Sequence, residues 1–204
     1  IKNLMTQLSL IVKNADKHKH NPLFMNDAIN TIDNTVNKMN KMLDVLNQRP
    51  AESKSHVFNV IELLAELVDM KKITNAKPQP ALECDRDEVY IRADRDQILS
   101  IFGHLVQNAQ EATPVNGDVR IIQTFNTSGD LVLIFQDTGH GMTDEFIRKH
   151  LFAPFKTTKG KGMGIGVYET REIISALGGS IDVESEPDAG TSFTITLPVA
   201  KRGK

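Results

Sequence analysis

Three short segments hold the residue types that chemistry needs: Asn108 in a helical stretch, Asp137-Thr-Gly-His-Gly-Met142, and Gly162-Met-Gly-Ile-Gly166 opening a further helix. Asp137 closes the apolar run Leu131-Val-Leu-Ile-Phe-Gln136, so its carboxylate emerges at a strand end where the core opens. A buried carboxylate needs a partner. The exocyclic amine of adenine would supply one, and guanine, which offers an acceptor there, would not. Gly139 and Gly141 would let the backbone approach a flat base. A hairpin turn capped by Asp-Thr-Gly is the plainer reading of the same residues.

Gly162, Gly164 and Gly166 precede Val167-Tyr-Glu-Thr-Arg-Glu-Ile-Ile174, which has a helical pattern, with Lys156, Lys159 and Lys161 just upstream. Backbone N–H groups of such a loop, and the positive helix start behind it, suit phosphate oxygens. A solvated surface loop would use the same residues. A Rossmann unit is excluded, because no matching strand, loop and helix with a downstream ribose acid follows. A Walker loop is excluded as well, because no Gly-Lys-Ser or Gly-Lys-Thr is present here. Asn108 offers an amide oxygen, a hard ligand suited to a Mg²⁺ ion that keeps water beside nucleotide phosphates. Alone it would be an ordinary helix amide. In this order the segments describe an ATP site.

These groups need a scaffold. With 204 residues, 40% hydrophobic and 25% charged, the chain can bury a core. A net charge of −2 gives no basic face for nucleic acid or an anionic membrane. Cys84, the single cysteine, makes no internal disulfide. No apolar run approaches the roughly 20 residues that span a bilayer, so no membrane contact is expected of this stretch. The chain opens at Ile1, without Met and inside an amphipathic pattern, which reads as a fragment.

Apolar residues at Ile1, Leu4, Leu8, Ile11 and Ala15 make a heptad stripe, Asn21-Pro22 breaks it, and a second stripe runs through Met25, Ile29, Ile32, Val36, Met39, Leu43 and Leu46. Two such helices form a hairpin with one apolar face, and a homodimeric four-helix bundle through residues 1–48 would bury it. Packing on the rest of its own chain is the alternative. The polar stretch Gln48-Arg-Pro-Ala-Glu-Ser-Lys-Ser55 is the candidate linker, dividing the chain into 1–50 and 51–204. Beyond it the patterns predict a strand at Val57–Val60, a helix from Ile61 to about Met70 and a strand at Val89–Ala93. A helix capped by Asp94 then runs to about Thr113. Strands at Val119–Phe125 and Leu131–Gln136, a helix over Gly166–Ala176 and a hairpin of Ser180–Glu184 with Ser192–Leu197 complete the set. The fold class is α+β, a helical hairpin followed by an α/β sandwich with helices on one face of a mixed sheet.

His104-Leu-Val-Gln-Asn108-Ala resembles the N box of sensor histidine kinases, and Asp137-Thr-Gly-His-Gly141 resembles their G1 box. Leu151-Phe-Ala-Pro-Phe155-Lys-Thr-Thr-Lys159 is similar to the F box and Gly162-Met-Gly-Ile-Gly166 to the G2 box. These kinases belong to the GHKL, or Bergerat, ATPase superfamily. Gly190-Thr191 resembles the last adenine-side element, and residues 57–199 are covered. The resemblance implies the Bergerat fold and an ATP-dependent protein histidine kinase of two-component signal transduction, with Mg²⁺ held by Asn108. It implies nucleotide contacts at Asp137, Gly139, Gly141, Met142, Lys156, Thr158, Lys159, Gly162, Met163, Gly164, Ile165, Gly166 and Thr191, with Asn108 and Lys159 serving the transfer. Gly160 and Gly162 would hinge the lid.

The hairpin resembles the dimerisation and phosphotransfer domain, and Ile1-Lys2-Asn3 resembles the tail of a His-Asp-x-Lys-Asn acceptor motif. In the exosortase-associated (PEP-CTERM system) kinases called PrsK that motif accompanies a very similar Phe-Lys-Thr-Thr-Lys-Gly-Lys-Gly-Met-Gly-Ile-Gly segment. The resemblance places the acceptor histidine just before Ile1 and makes Asn3 a phosphatase candidate. It implies a response-regulator receiver domain as partner, and the cytoplasmic portion of a membrane-anchored bacterial protein. Two positions depart from the pattern. His104 stands where kinases commonly carry Asn and ATP-hydrolysing relatives carry Glu, and Glu111 stands where many kinases carry a phosphate-contacting Lys. Lys159 and Lys156 are the substitutes for that charge. The rival readings are a GHKL ATPase switch and a nucleotide-sensing, non-catalytic dimer.

Overall fold

The computed structural model describes residues 2–18, 21–46, 55–74, 76–154, 156 and 164–202. The chain divides into two compact units, Ile1–Glu52 and Ser53–Lys204. In the first, helix α1 (Lys2–His18) and helix α2 (Pro22–Leu46) pack against each other. Pro22 does not simply interrupt the pattern. It is the first residue of α2, where its missing N–H costs nothing, and the Asn21 side chain accepts from Leu23 N at 3.0 Å. Among the described side chains of α2, Ala28 and Thr35 are buried, while Ile29 (58%), Ile32 (41%) and Val36 (45%) of the heptad stripe are exposed.

The second unit begins with strand β1 (His56–Asn59) and helix α3 (Val60–Ile73), then strands β2 (Pro80–Cys84) and β3 (Tyr90–Ala93) and helix α4 (Arg95–Ala112). The expected strand at 57–60 ends one residue early. Asn59 caps α3 by accepting from Ile61 N and also accepts from Val89 N, each at 3.1 Å, so Val60 turns helical. Strands β4 (Val119–Phe125) and β5 (Leu131–Asp137) follow. A short helix α5 (Asp144–Phe146) continues as a π-helical turn (Ile147–Leu151). Helix α6 (Gly166–Ala176) and strands β6 (Ser180–Glu186) and β7 (Gly190–Leu197) complete the unit.

Five strands form one sheet in the order β2-β4-β5-β7-β6, with β2 parallel to β4 and the other pairs antiparallel, while β1 and β3 pair separately. Alternation sets its faces. Leu131, Leu133 and Phe135 of β5 and Phe193, Ile195 and Leu197 of β7 point inward and are buried. They join Leu63, Leu64 and Leu67 of α3, Ile98, Ile101, Phe102 and Leu105 of α4, and Ile173 and Ile174 of α6 in one core. Phe102 and Phe135 pack as a tilted ring pair 5.2 Å apart, fixing α4 on β5. No helix among the described residues is long and apolar enough to cross a membrane.

Helix α4 starts as its sequence requires, with the Asp94 carboxylate accepting from Asp96 N and Gln97 N. Asp94→Ala is expected to destabilise the protein by about 1 kcal/mol, read as a lower urea midpoint at unchanged slope. An unchanged midpoint would mean that tertiary packing alone sets the start of α4.

Candidate nucleotide-binding site

The inward face of the sheet is mostly apolar, with Gln123 of β4 its buried polar member opposite Leu133, and it turns polar at one end. There the strand register aligns Val119, Asp137, Thr191 and Ser185 in a single cross-strand row. Directly opposed residues of antiparallel strands project to the same side, so three of these four place polar side chains next to one another. Asp137 (6% exposed) and Thr191 (7%) are nevertheless buried.

The loop after Asp137 is clamped from two sides. Asp137 Oδ1 accepts from Gly139 N at 2.8 Å, and His140 N donates to the carbonyl of Ala112, the last residue of α4, at 3.2 Å. On the other side Asp188 N, in the β6–β7 turn, donates to His140 O at 2.9 Å, and Met142 N donates to Ser185 Oγ at 2.9 Å. Glycine is required here by protein backbone. A Cβ on Gly139 would lie 2.6 Å from the Ala112 carbonyl oxygen, and one on Gly141, whose φ is +62°, would overlap the carbonyl of Glu186. The close approach expected toward a base is thus made first toward α4 and β6. His140 Nδ1 lies 2.8 Å from Gly141 O, and since a carbonyl only accepts, that nitrogen carries the proton.

Asn108 lies one turn before Ala112 on the same side of α4, and His104 one turn earlier again. The first residue of α6, Gly166, sits against His104, since a Cβ there would be 3.6 Å from the imidazole ring. His104 Nδ1 is buried and has no hydrogen-bond partner among the described residues. The N-cap position of α6, Ile165, provides no side-chain cap, so the helix's leading N–H groups point into the same region as a positive helix end. From His104 to Ala112 the axis of α4 advances about 12 Å at roughly 1.5 Å per residue. One face of α4 therefore runs from an uncapped helix start to a polar row of acceptors, the two ends a nucleoside triphosphate needs.

Upstream of α6, Gly164 has φ +63° and its Cα lies against the Lys156 carbonyl, where a Cβ would overlap. The backbones at 156 and 164 therefore meet. Lys156 is exposed and Ile165 is buried. The predicted site residues Thr158, Lys159, Gly162 and Met163, and with them the hinge glycine Gly160, lie outside the described residues. Asn3 lies on α1, its side chain outside the described part.

Glu111 has neighbours of its own on α4 and α3. Glu111 accepts from Gln107 Nε2 at 2.8 Å and attracts Lys71 of α3. Burial pulls the Lys71 ammonium below its ordinary value, and the Glu111 carboxylate partly restores it. Lys71 is thus a further cation beside Glu111, and its sequence, Met70-Lys-Lys-Ile73 at the end of an ordinary helix, gives no hint of it. Lys71, Gly103, His104 and Gln107 also line a cleft of about 420 Å³ between α3 and α4. Among the described residues no group of three His, Cys, Asp or Glu side chains could hold a metal by itself. A Mg²⁺ ion brought by phosphates asks for only one or two protein oxygens, and the amide of Asn108 fits that demand.

The profile of the histidine kinase-, DNA gyrase B- and HSP90-like ATPases matches residues 93–201. The catalytic domain of the histidine kinase ThkA is 31% identical, with a TM-score of 0.62 over 71% of this chain and 95% of that domain. ThkA in complex with the response regulator TrrA shares the fold across 98% of this chain and 58% of that one, at 24% identity and a TM-score of 0.69. The sensory histidine kinase/phosphatase NtrB of Azospirillum brasilense is 30% identical over 82% of this chain. The chain spans 44% of that protein, 18% of sporulation kinase A of Bacillus subtilis and 34% of the signal transduction histidine-protein kinase AtoS of Escherichia coli.

Proposed function

Because the chain belongs to the histidine kinase-, DNA gyrase B- and HSP90-like ATPases, we propose that it is the catalytic core of a sensor histidine kinase, which binds ATP with Mg²⁺ in residues 53–204. The γ-phosphoryl group passes to a histidine of the helical-hairpin domain and then to an aspartate of a response-regulator receiver domain. The observation that carries this reading is the face of α4, with the Asp137–Thr191 row at one end and the uncapped start of α6 beside His104 at the other.

Phosphoryl transfer to imidazole forms a P–N bond as the β,γ-bridging P–O bond breaks and ADP leaves, and the protein contributes mainly position and charge neutralisation. Asp137 accepts from the exocyclic amine of adenine, and Thr191 lies beside it. The leading N–H groups of α6, with Gly164, Ile165 and Gly166, face the phosphates. Lys156 and Lys159, the latter with Thr158, Gly162 and Met163 in the lid, bring positive charge. Mg²⁺, held by Asn108, neutralises phosphate oxygens when bound.

The same structure supports the kinase reading over an ATPase switch. His104 replaces the carboxylate that ATP-hydrolysing relatives use, and the chain carries a helical hairpin with Ile29, Ile32 and Val36 exposed in heptad register. A second copy is the occupant that buries this stripe, giving a four-helix bundle. NtrB bears the name of a kinase and a phosphatase, and Asn3 would orient water against the receiver's aspartyl phosphate.

Because Ile1-Lys2-Asn3 resembles the tail of an acceptor motif, the test uses a polypeptide that carries a complete motif of that kind. Incubated with γ-labelled ATP and Mg²⁺, that polypeptide should acquire acid-labile, base-stable label, while the 204-residue chain should bind nucleotide and stay unlabelled. Bound nucleotide with no label on the longer chain would sink the kinase assignment.

A further inference from the structure

Ser185 sits at the inward parity of β6, opposite Thr191, which is itself opposite Asp137. Its hydroxyl makes three contacts: 2.7 Å to the carbonyl oxygen of Gly190, 2.9 Å from the backbone nitrogen of Met142, and 3.0 Å to Thr191 Oγ1. Distance alone leaves the Ser185–Thr191 pair without a direction. Proton counting supplies one.

A hydroxyl has one proton and two lone pairs. The Gly190 carbonyl can only accept, so the Ser185 proton is committed to it. Met142 N–H can only donate, and it occupies one Ser185 lone pair. The contact with Thr191 is then satisfied only if Thr191 donates to the second lone pair. Thr191 Oγ1 has no proton left and faces the row as an acceptor. Next to it the Asp137 carboxylate is an acceptor as well.

Resting on the reading of this row as the base end of an ATP site, we infer that Ser185 is a specificity-determining residue: by fixing Thr191 as an acceptor it tunes the site for a purine bearing an amino group at position 6. Two adjacent acceptors match an amine, directly or through a water whose hydrogens point at the row. A 6-oxo purine brings a carbonyl to the same place and meets lone pairs with lone pairs. Ser185 does not touch the base. It acts through Thr191, and it also ties the loop carrying Gly141 and Met142 to the β6–β7 turn.

Without Ser185 the Thr191 hydroxyl is free to rotate and donate, so 6-oxo nucleotides gain relative to ATP. The test compares ATP with inosine triphosphate, which carries oxygen in place of the 6-amino group, by displacement of a fluorescent nucleotide. In Ser185→Ala the preference for ATP should fall about tenfold, the size of one net hydrogen bond. Ser185→Thr, which retains the hydroxyl and suits a strand, should restore the preference. Thr191→Val should lose it to a similar extent, and the double variant Ser185→Ala/Thr191→Val should lose no more than Thr191→Val does.

Equal weakening of both nucleotides in Ser185→Ala would assign the residue a structural role only and overturn the inference. Should Ser185→Ala fail to fold, a Thr191→Val protein that keeps the full preference for ATP overturns it equally. A wild-type chain that binds neither nucleotide would refute the ATP-site reading instead, a result distinct from both.

Discussion

Asp137→Asn should lower the affinity for ATP about 100-fold, roughly 3 kcal/mol, while the melting temperature of the nucleotide-free protein stays close to that of the wild type. The two parts of this expectation come from one carboxylate. Asp137 is buried at the end of β5, and its Oδ1 holds the N–H of Gly139 at 2.8 Å. An asparagine is isosteric and its amide oxygen can keep that bond, so the loop between α4 and the β6–β7 turn retains its anchor. The price appears on the other side of the group: the remaining oxygen becomes an NH₂, a donor aimed where adenine presents a donor. A neutral amide is also less demanding to bury than a charge, which is why the apo fold should not suffer. Titration with a fluorescent ATP analogue and a thermal melt decide the matter. Affinity within threefold of the wild type would show that Asp137 serves the turn and not the base.

How much of this was legible beforehand varies with the physical origin of each feature. The apolar run Leu131–Phe135, the β-branched and aromatic residues of Val119–Phe125, and the cap at Asp94 are local signals, and the strands and α4 follow them. Strand β2 was not foreseen. Pro80-Ala-Leu-Glu-Cys84 shows little alternation, starts with proline, and becomes a strand only because β4 offers it a parallel edge. The π-helical turn at Ile147–Leu151 likewise has no sequence signature of its own.

The site divides in the same way. Asp137 and Thr191 stand out because each ends or begins an apolar strand, yet their adjacency is a matter of register between β5 and β7. Ser185 was invisible, since serine near a turn is common. Its inward position after Ile181 and Val183 was the available signal, and it gains meaning only opposite Thr191. The glycines were found for a different reason from the one the structure gives: Gly139 and Gly141 leave room for carbonyls of Ala112 and Glu186. Lys71 could not be linked to Glu111 without knowing that α3 lies along α4.

Asn108→Ala should separate binding from transfer. Asn108 is on α4 between His104 and Ala112, half-buried, on a helix whose start is capped by Asp94 and whose apolar face is buried in the core. Alanine is the better helix former of the two, so loss of the fold is not the expected route to any defect. Nor is the base end disturbed, because Asp137, Thr191 and Ser185 hold one another through the sheet and the Gly139 loop. Nucleotide affinity measured without Mg²⁺ should therefore change only a few-fold. The gain in affinity on adding Mg²⁺ should vanish, and labelling of the acceptor-bearing polypeptide should slow by about a hundred- to a thousand-fold, the usual effect of removing one preorganised electrostatic contact. Asn108→Asp keeps an oxygen ligand in the same place and should recover part of the Mg²⁺ response. If Asn108→Ala instead lowered Mg²⁺-free affinity as much as it lowered labelling, Asn108 would be a nucleotide contact like Asp137, and the metal would have to be held by other oxygens, Glu111 first among them because it lies on the same face of α4.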